Sequence, residues 1–285
     1  MGIRASIKHL AMSALPDVVA DTIATSQKYR TVHRRPLNLL RPRRFTEKVV
    51  RRALLDRRPI LKTFADKYAV RFYVENILGK DVLPELYHQT QSPKDIPFSK
   101  LPEKFVVKPT HGSGWVRVVR NKAQSSFEEI VSQCEHWLSL DFYQECKERN
   151  YIGIPRRIII EELIDDGSEG LPADYKMFVF HGRVELIQVI RGRDTNFQVF
   201  HLDRAWNPVA VNFNYDPFPG TTPPPPHLPE LIAAAEALGR DIEFVRADFY
   251  DTPVKIYFGE LTGTPSAGMD RFVPDSFDEH FGALW

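Results

Sequence analysis

The chain has 285 residues, 43 % of them hydrophobic and 26 % charged, which suits one large soluble domain or a few interlocked subdomains and excludes a disordered or fibrous chain. A net charge of +1 singles out no partner, and no apolar run reaches the length of a membrane span. The two cysteines, Cys134 and Cys146, fall on one expected helix with no histidine at ligand spacing, which excludes a zinc site or disulfide framework and suits a reducing, cytoplasmic compartment.

Residues 1–80 read as helical. Ile3 to Ile23 is mildly amphipathic, broken by Pro16, and too short and polar in its apolar core for a secretory signal. Lys28 to Lys67 holds 14 Lys and Arg against three acidic residues, Glu47, Asp56 and Asp66. This charge is either a solvated helical face or a docking surface for something anionic, such as a membrane or a glycan. Without aromatic residues interleaved as stacking platforms, nucleic acid is not expected. Helical spacing predicts helices over 45–55 and 63–79, the second stopping on Gly79. A loop rich in proline follows.

From Phe105 the pattern changes to short strands. Residues 105–108 and 116–120 are expected to form a hairpin, and 127–149 a long helix. Residues 157–164 read as a strand, 174–181 and 183–191 as a second hairpin around His181-Gly182, and 197–202 as a further strand. Pro217 to Pro229 reads as a stiff connector, 231–240 as a helix, 244–250 and 255–261 as strands, and the end as a polar tail. Helices followed by antiparallel pairs argue for an α+β fold.

Four stretches carry possible chemistry. In "VVKPTHGSG", Lys108 interrupts an apolar strand just before Gly112, Ser113 and Gly114. A cation beneath a glycine-rich flap is what phosphate needs, although a hairpin with a snorkelling lysine explains the stretch as well. In "FVRADFYDTPVKIYFGELT", alternation puts Arg246 beside Asp248 and Glu260 beside Thr262. Two convergent carboxylates call for a cation between them, with Mg²⁺ the natural guest; the alternative is edge carboxylates paired with Arg246 and Lys255. "IIIEELIDD" reads as a strand end whose backbone can meet an adenine edge, or as a solvated end. In "DYKMF", Asp174 and Lys176 share one strand face, as a surface ion pair or as part of a site.

Together, and in this order, these pieces resemble the ATP-grasp superfamily, and more narrowly its TupA-like branch, named for teichuronopeptide biosynthesis and associated with bacterial surface-polysaccharide genes. The resemblance begins near Arg41. It implies an ATP-grasp fold with the nucleotide between two antiparallel sheets, and ATP and Mg²⁺ as cofactors. Lys67 and Lys108 correspond to phosphate-holding lysines, and Gly112, Ser113 and Gly114 to the flap. Glu161, Glu162 and Ile164 correspond to the adenine hinge, with Asp165 or Asp166 near the ribose. Lys176 is a further cation facing the nucleotide, Asp248 and Glu260 are metal ligands, and Arg246 steadies an acyl phosphate. Lys108, Lys176 and Arg246 would thus be catalytic.

The implied division is a helical extension at 1–44, a helical region at 45–100 and an ATP-grasp domain at 101–285. Within that domain, 101–165 would carry the flap and 166–285 the metal and substrate. Thr262 replaces a frequent Asn, while Gly263 and Ala247 stand where bulkier apolar residues are common, so these departures bear on packing more than on chemistry. The implied activity is carboxylate–amine ligation through an acyl phosphate on a cell-surface polysaccharide or its precursor. The partners would be a small-molecule or glycan-linked carboxylate and an amine or amino acid, with peripheral membrane association in view. The competing readings are a non-catalytic nucleotide- or glycan-binding component and, less favoured for want of an Asp-x-Asp motif, a glycosyltransferase.

Overall fold

The computed structural model describes residues 16–167 and 170–285. The segment read as Ile3 to Ile23 lies outside the described residues up to position 15. Helix α1 runs over Asp17–His33, immediately after Pro16. Next come α2 (Phe45–Leu55), α3 (Pro59–Ala65), α4 (Ala69–Leu78) and strand β1 (Leu86–Thr90). Strands β2 (Phe105–Pro109) and β3 (Arg117–Val119) precede helices α5 (Phe127–Ser139) and α6 (Phe142–Cys146). The remainder is β4 (Ile158–Glu162), β5 (Asp174–Phe180), β6 (Arg183–Arg191), β7 (Gln198–Leu202), α7 (Leu228–Gly239), β8 (Phe244–Asp251), β9 (Ile256–Thr262) and α8 (Ser276–Leu284).

The strands make two antiparallel sheets, one in the order β1-β4-β2-β3 and one in the order β7-β6-β5-β8-β9. The first sheet buries Phe105, Val107, Ile158 and Ile160 beneath α5, which contributes Ile130, Cys134 and Trp137. Strand alternation therefore leaves Val106, Lys108, Ile159 and Glu161 on its other face. The second sheet packs Met177, Val179, Val245 and Ala247 against α7. Part of its opposite face is sealed by an aromatic cluster in which Phe45 of α2 and Phe281 of α8 meet Phe178, Phe180 and Phe244. The rest of that face carries charge.

The β5–β6 hairpin turns on His181 (φ 47°) and Gly182 (φ 77°), the two positive φ values that a tight two-residue loop requires. Four expected elements differ. The helix read over 63–79 is broken at Asp66, whose carboxylate accepts from the backbone N–H groups of Tyr68 (2.9 Å) and Ala69 (3.1 Å) and so caps a new helix. The helix read over 127–149 stops at Ser139 because Asp141 caps α6 by accepting from Tyr143 N; Cys134 and Cys146 thus sit on different helices, both as free thiols. Strand β1 lies in the stretch read as loop. The tail read as polar ends in α8, where Phe277, Phe281 and Leu284 supply a helical apolar stripe.

Candidate active site

The break between α3 and α4 delivers Lys67 to the first sheet. Its backbone N–H donates to Thr110 O (3.2 Å), and its ammonium donates to Gly112 O of the flap. Burial pushes the Lys67 ammonium down, while Glu260 on the other sheet opposes that shift, so Lys67 lies where the two sheets meet. Lys108 reaches Glu161 Oε2 at 2.8 Å, and Arg71 of α4 takes Glu161 Oε1 at 2.5 Å. A buried carboxylate between two cations is how this sheet tolerates a lysine among Val106, Val107 and Ile159.

The flap is held at its base. His111 Nε2 lies 3.1 Å from Trp137 O, and a Cβ on Gly112 would collide with the Trp115 ring. Trp115 meets Phe142 edge to face, and Phe142 meets Tyr151 in the same way. Ser113 and Gly114 stay exposed at the tip, with Gly114 at φ 75°.

On the second sheet the register places His201, Gln188, Lys176, Asp248 and Glu260 directly opposite one another across five strands. Five polar side chains thus form one row on the charged half of the face. Arg246, two residues before Asp248 on β8, shares that face. Its Nε is 2.7 Å from Asp248 Oδ1, and its Nη2 is 2.7 Å from Asp248 Oδ2 and 2.6 Å from Glu260 Oε1. Lys176 donates to Asp248 and lies 3.1 Å from Asp174, which Arg193 also pairs at 2.7 Å.

Burial pushes the Asp248 carboxyl up against the pull of Arg246 and Lys176. Glu260 also feels burial, but Arg246, Lys176 and Lys67 hold it far below the carboxylate range. For Lys176, burial works against the charge and the neighbouring carboxylates more than restore it. The row is therefore a set of opposite charges held close in a cleft, with 38 % of the Glu260 side chain open.

Asp248 and Glu260 fit a divalent cation. One positive nitrogen, Arg246 Nη2, already serves both carboxylates, and hard oxygen donors in pairs suit Mg²⁺ when phosphates complete its shell. Among the described residues no group of three or more His, Cys, Asp or Glu gathers as a metal site, so the protein alone offers a partial shell.

Of the hinge residues, Glu161 is occupied twice. Its side chain holds Lys108 and Arg71, and its backbone lies between β1 and β2, opposite Leu86 and Val106. Glu162 ties the sheets together, accepting from Glu85 N (3.1 Å) and from the Tyr257 hydroxyl (3.1 Å). Past the strand end, Leu163, Ile164 and Asp165 line a cavity of about 190 Å³ with Lys104, Arg120 and Gly170. Asp165 is exposed and 3.4 Å from Lys104. Asp166 accepts from Ala173 N at 3.4 Å.

Several site neighbours were not legible as such. Arg71 sits in a helix of ordinary composition, and Gln188 and His201 look like strand residues until register aligns them with Lys176. Tyr151, in a single helical turn, is close enough to Glu260 and Arg246 to feel both charges.

Two antiparallel sheets, each turning cations and carboxylates into a shared cleft beneath a glycine flap, define an ATP-grasp-like α+β fold. The model of the TupA-like ATPgrasp family matches residues 47–285, and the chain belongs to that family. No curated protein matches. Among solved structures, a D-alanine–D-alanine ligase from Bacillus anthracis complexed with ATP is 18 % identical, covering 79 % of this chain and 64 % of its own, with a TM-score of 0.47. An L-amino acid ligase from Bacillus licheniformis is 17 % identical, covering 78 % and 49 %, with a TM-score of 0.48. The ATP-grasp ligase PsnB, complexed with a phosphomimetic variant of its minimal precursor, Mg and ADP, is 11 % identical, covering 79 % and 60 %, with a TM-score of 0.44. The chain thus spans between about half and two thirds of the length of these structures.

Proposed function

We propose that the protein is an ATP- and Mg²⁺-dependent carboxylate–amine ligase that modifies a cell-surface polysaccharide or its precursor with an amino acid. The observation that carries this reading is the charge arrangement. Lys67 and Lys108 under the flap face a row in which Lys176 and Arg246 are interleaved with Asp248 and Glu260. Nucleotide phosphates would take the four cations. Asp248 and Glu260, released from Arg246, would hold Mg²⁺, which when bound neutralises charge on the phosphates. Ile164, with Leu163 beside it, would border the adenine.

A carboxylate does not condense with an amine unaided, because its oxygen leaves poorly. In the proposed reaction the substrate carboxylate attacks the γ-phosphorus and the bond to the β-phosphate oxygen breaks, giving an acyl phosphate and ADP. The amine, arriving as its free base, then attacks the acyl carbon, phosphate leaves with the former carboxylate oxygen, and the nitrogen loses a proton to solvent. Lys108, Lys176 and Arg246 would hold the transferring group, with Arg246 also facing the oxyanion that develops at the acyl carbon. Gly112, Ser113 and Gly114 would exclude water by closing.

The retained Lys108, Asp248 and Glu260 favour catalysis over a non-catalytic binding role. The test is a panel of uronic acids and amino acids assayed for phosphate release, with hydroxylamine added to trap an acyl phosphate as its hydroxamate. Release that needs an acid, with hydroxamate formed and both lost in Glu260→Gln, is expected. Absence of turnover with every acid, despite ATP binding, would favour the binding-component reading.

A further inference from the structure

The six arginines from Arg30 to Arg44 divide into two sets. Arg35 and Arg44 both pair with Asp275, and they reach Asp278 and Glu279 respectively, which fixes the segments around 35 and 44 side by side against α8. Arg30, Arg34, Arg41 and Arg43 are exposed and, among the described residues, have no ion-pair partner for their side chains. Counting Glu47, whose carboxylate accepts from the Arg43 and Arg44 backbone N–H groups, six guanidinium groups stand against four carboxylates on this corner of the molecule, leaving a surplus of two positive charges.

The segment between them alternates. Leu37 and Leu39 pack on Tyr29, Val50 and Leu54, whereas Leu40, the next residue, is 94 % exposed. An unburied leucine next to Arg41, with Pro36 and Pro42 limiting the backbone on either side, presents an apolar tip on a segment whose exposed arginines have no ion-pair partner among the described residues. The aromatic residues of this stretch, Tyr29, Phe45 and Phe64, are buried and offer no stacking platform to nucleic acid bases.

We propose that this corner docks on an anionic lipid bilayer, with Arg30, Arg34, Arg41 and Arg43 over the headgroups and Leu40 inserted among them. Charge complementarity supplies most of the attraction, and the leucine distinguishes a bilayer from a soluble polyanion. The corner is locked to the cleft. His33 Nε2 lies 3.0 Å from Gly268 O, and Met269 packs against the same Tyr29, Val50 and Leu54 cluster as Leu37 and Leu39, so the loop leaving β9 after Glu260 shares a core with the docking segment. In the ligase reading, that loop would receive an acceptor carried at the membrane. Docking itself does not depend on that reading.

The experiment is sedimentation of the full chain with vesicles of phosphatidylglycerol and phosphatidylcholine in equal parts, and with phosphatidylcholine alone. Binding to the first and not the second, released by molar salt, is expected. Arg41→Gln with Arg43→Gln should weaken partitioning roughly 25-fold, at about five-fold per arginine, and Leu40→Asp should weaken it further. Both variants should keep the wild-type melting temperature and ATP titration, because among the described residues these side chains hold no ion-pair partner. Wild-type binding by the arginine variant would overturn the proposal, as would binding to heparin or duplex DNA without binding to the anionic vesicles.

Discussion

Replacing Asp248 by Asn removes one charge from the centre of the row while keeping its shape. The carboxylate is 2 % exposed and is touched by Arg246 twice at 2.7 Å and by Lys176. Breaking a buried ion pair from one side costs about 3–5 kcal/mol. The lower end applies here, because Arg246 keeps Glu260 at 2.6 Å and Lys176 keeps Asp174 at 3.1 Å. At about 3 kcal/mol the melting temperature of the ligand-free protein should fall by roughly 6–12 °C. Ligand binding should change in opposite directions. With chelator present, ATP meets two less-compensated cations and binds more tightly than to wild type. With Mg²⁺ present, the metal loses a ligand and the benefit of adding it shrinks at least about ten-fold. Scanning calorimetry and titration calorimetry with and without Mg²⁺ read these quantities. A variant as stable as wild type, or one with unchanged Mg²⁺ dependence, would refute the account of the row.

Glu148 and His201 predict a pH signature. Burial raises Glu148 to about 7 from 4.5 and lowers His201 to about 4 from 6.5. The stability linked to Glu148 is present below pH 4.5 and lost as pH rises to 7; that linked to His201 is present above pH 6.5 and lost as pH falls to 4, each by about 3 kcal/mol. Between pH 4.5 and 6.5 the two slopes oppose, so Glu148→Gln should uncover a stability that rises with pH, seen in urea midpoints at pH 5, 6 and 7; a variant that parallels wild type would contradict the burial argument. Gly112→Ala drives a methyl group into the Trp115 ring, which must shift against Phe142, and should both raise the KM for ATP in a turnover assay and lower the melting temperature, at an overpacking cost of about 1–3 kcal/mol. Phe45→Ala opens a cavity among Phe180, Phe244, Phe272 and Phe281, where Phe45 is 3 % exposed, and should cost about 3–5 kcal/mol in denaturant unfolding.

Short-range order was largely legible. The β5–β6 hairpin could be read because His-Gly must turn tightly, and β2, β4, β8 and β9 because their apolar runs are bounded by Pro, Asp and Gly. The helix breaks were harder, since Asp66 and Asp141 lie inside helical apolar spacing and act through caps that only the folded backbone reveals. Strand β1 holds Tyr87, His88 and Gln89 and has no alternation to announce it; its pairing with β4 defines it. In the site, Arg246, Asp248 and Glu260 could be grouped because one hairpin joins them. Gln188 and His201 come from strands whose register is set by the whole sheet. Glu161 shows the limit of reading a motif as a unit, because its side chain serves Lys108 and Arg71 whatever its neighbours do beyond the strand.

The central claim is that the cleft between the sheets takes ATP on Lys67 and Lys108. The most direct measurement is a calorimetric titration of ATP with Mg²⁺ into wild type and into the Lys67→Ala, Lys108→Ala double variant. The account predicts saturable binding to one site in wild type and a loss of at least about a hundred-fold in the variant, since each lysine would give up a charge-assisted contact to phosphate. Equal affinity in the two proteins, or no binding to wild type, would contradict it.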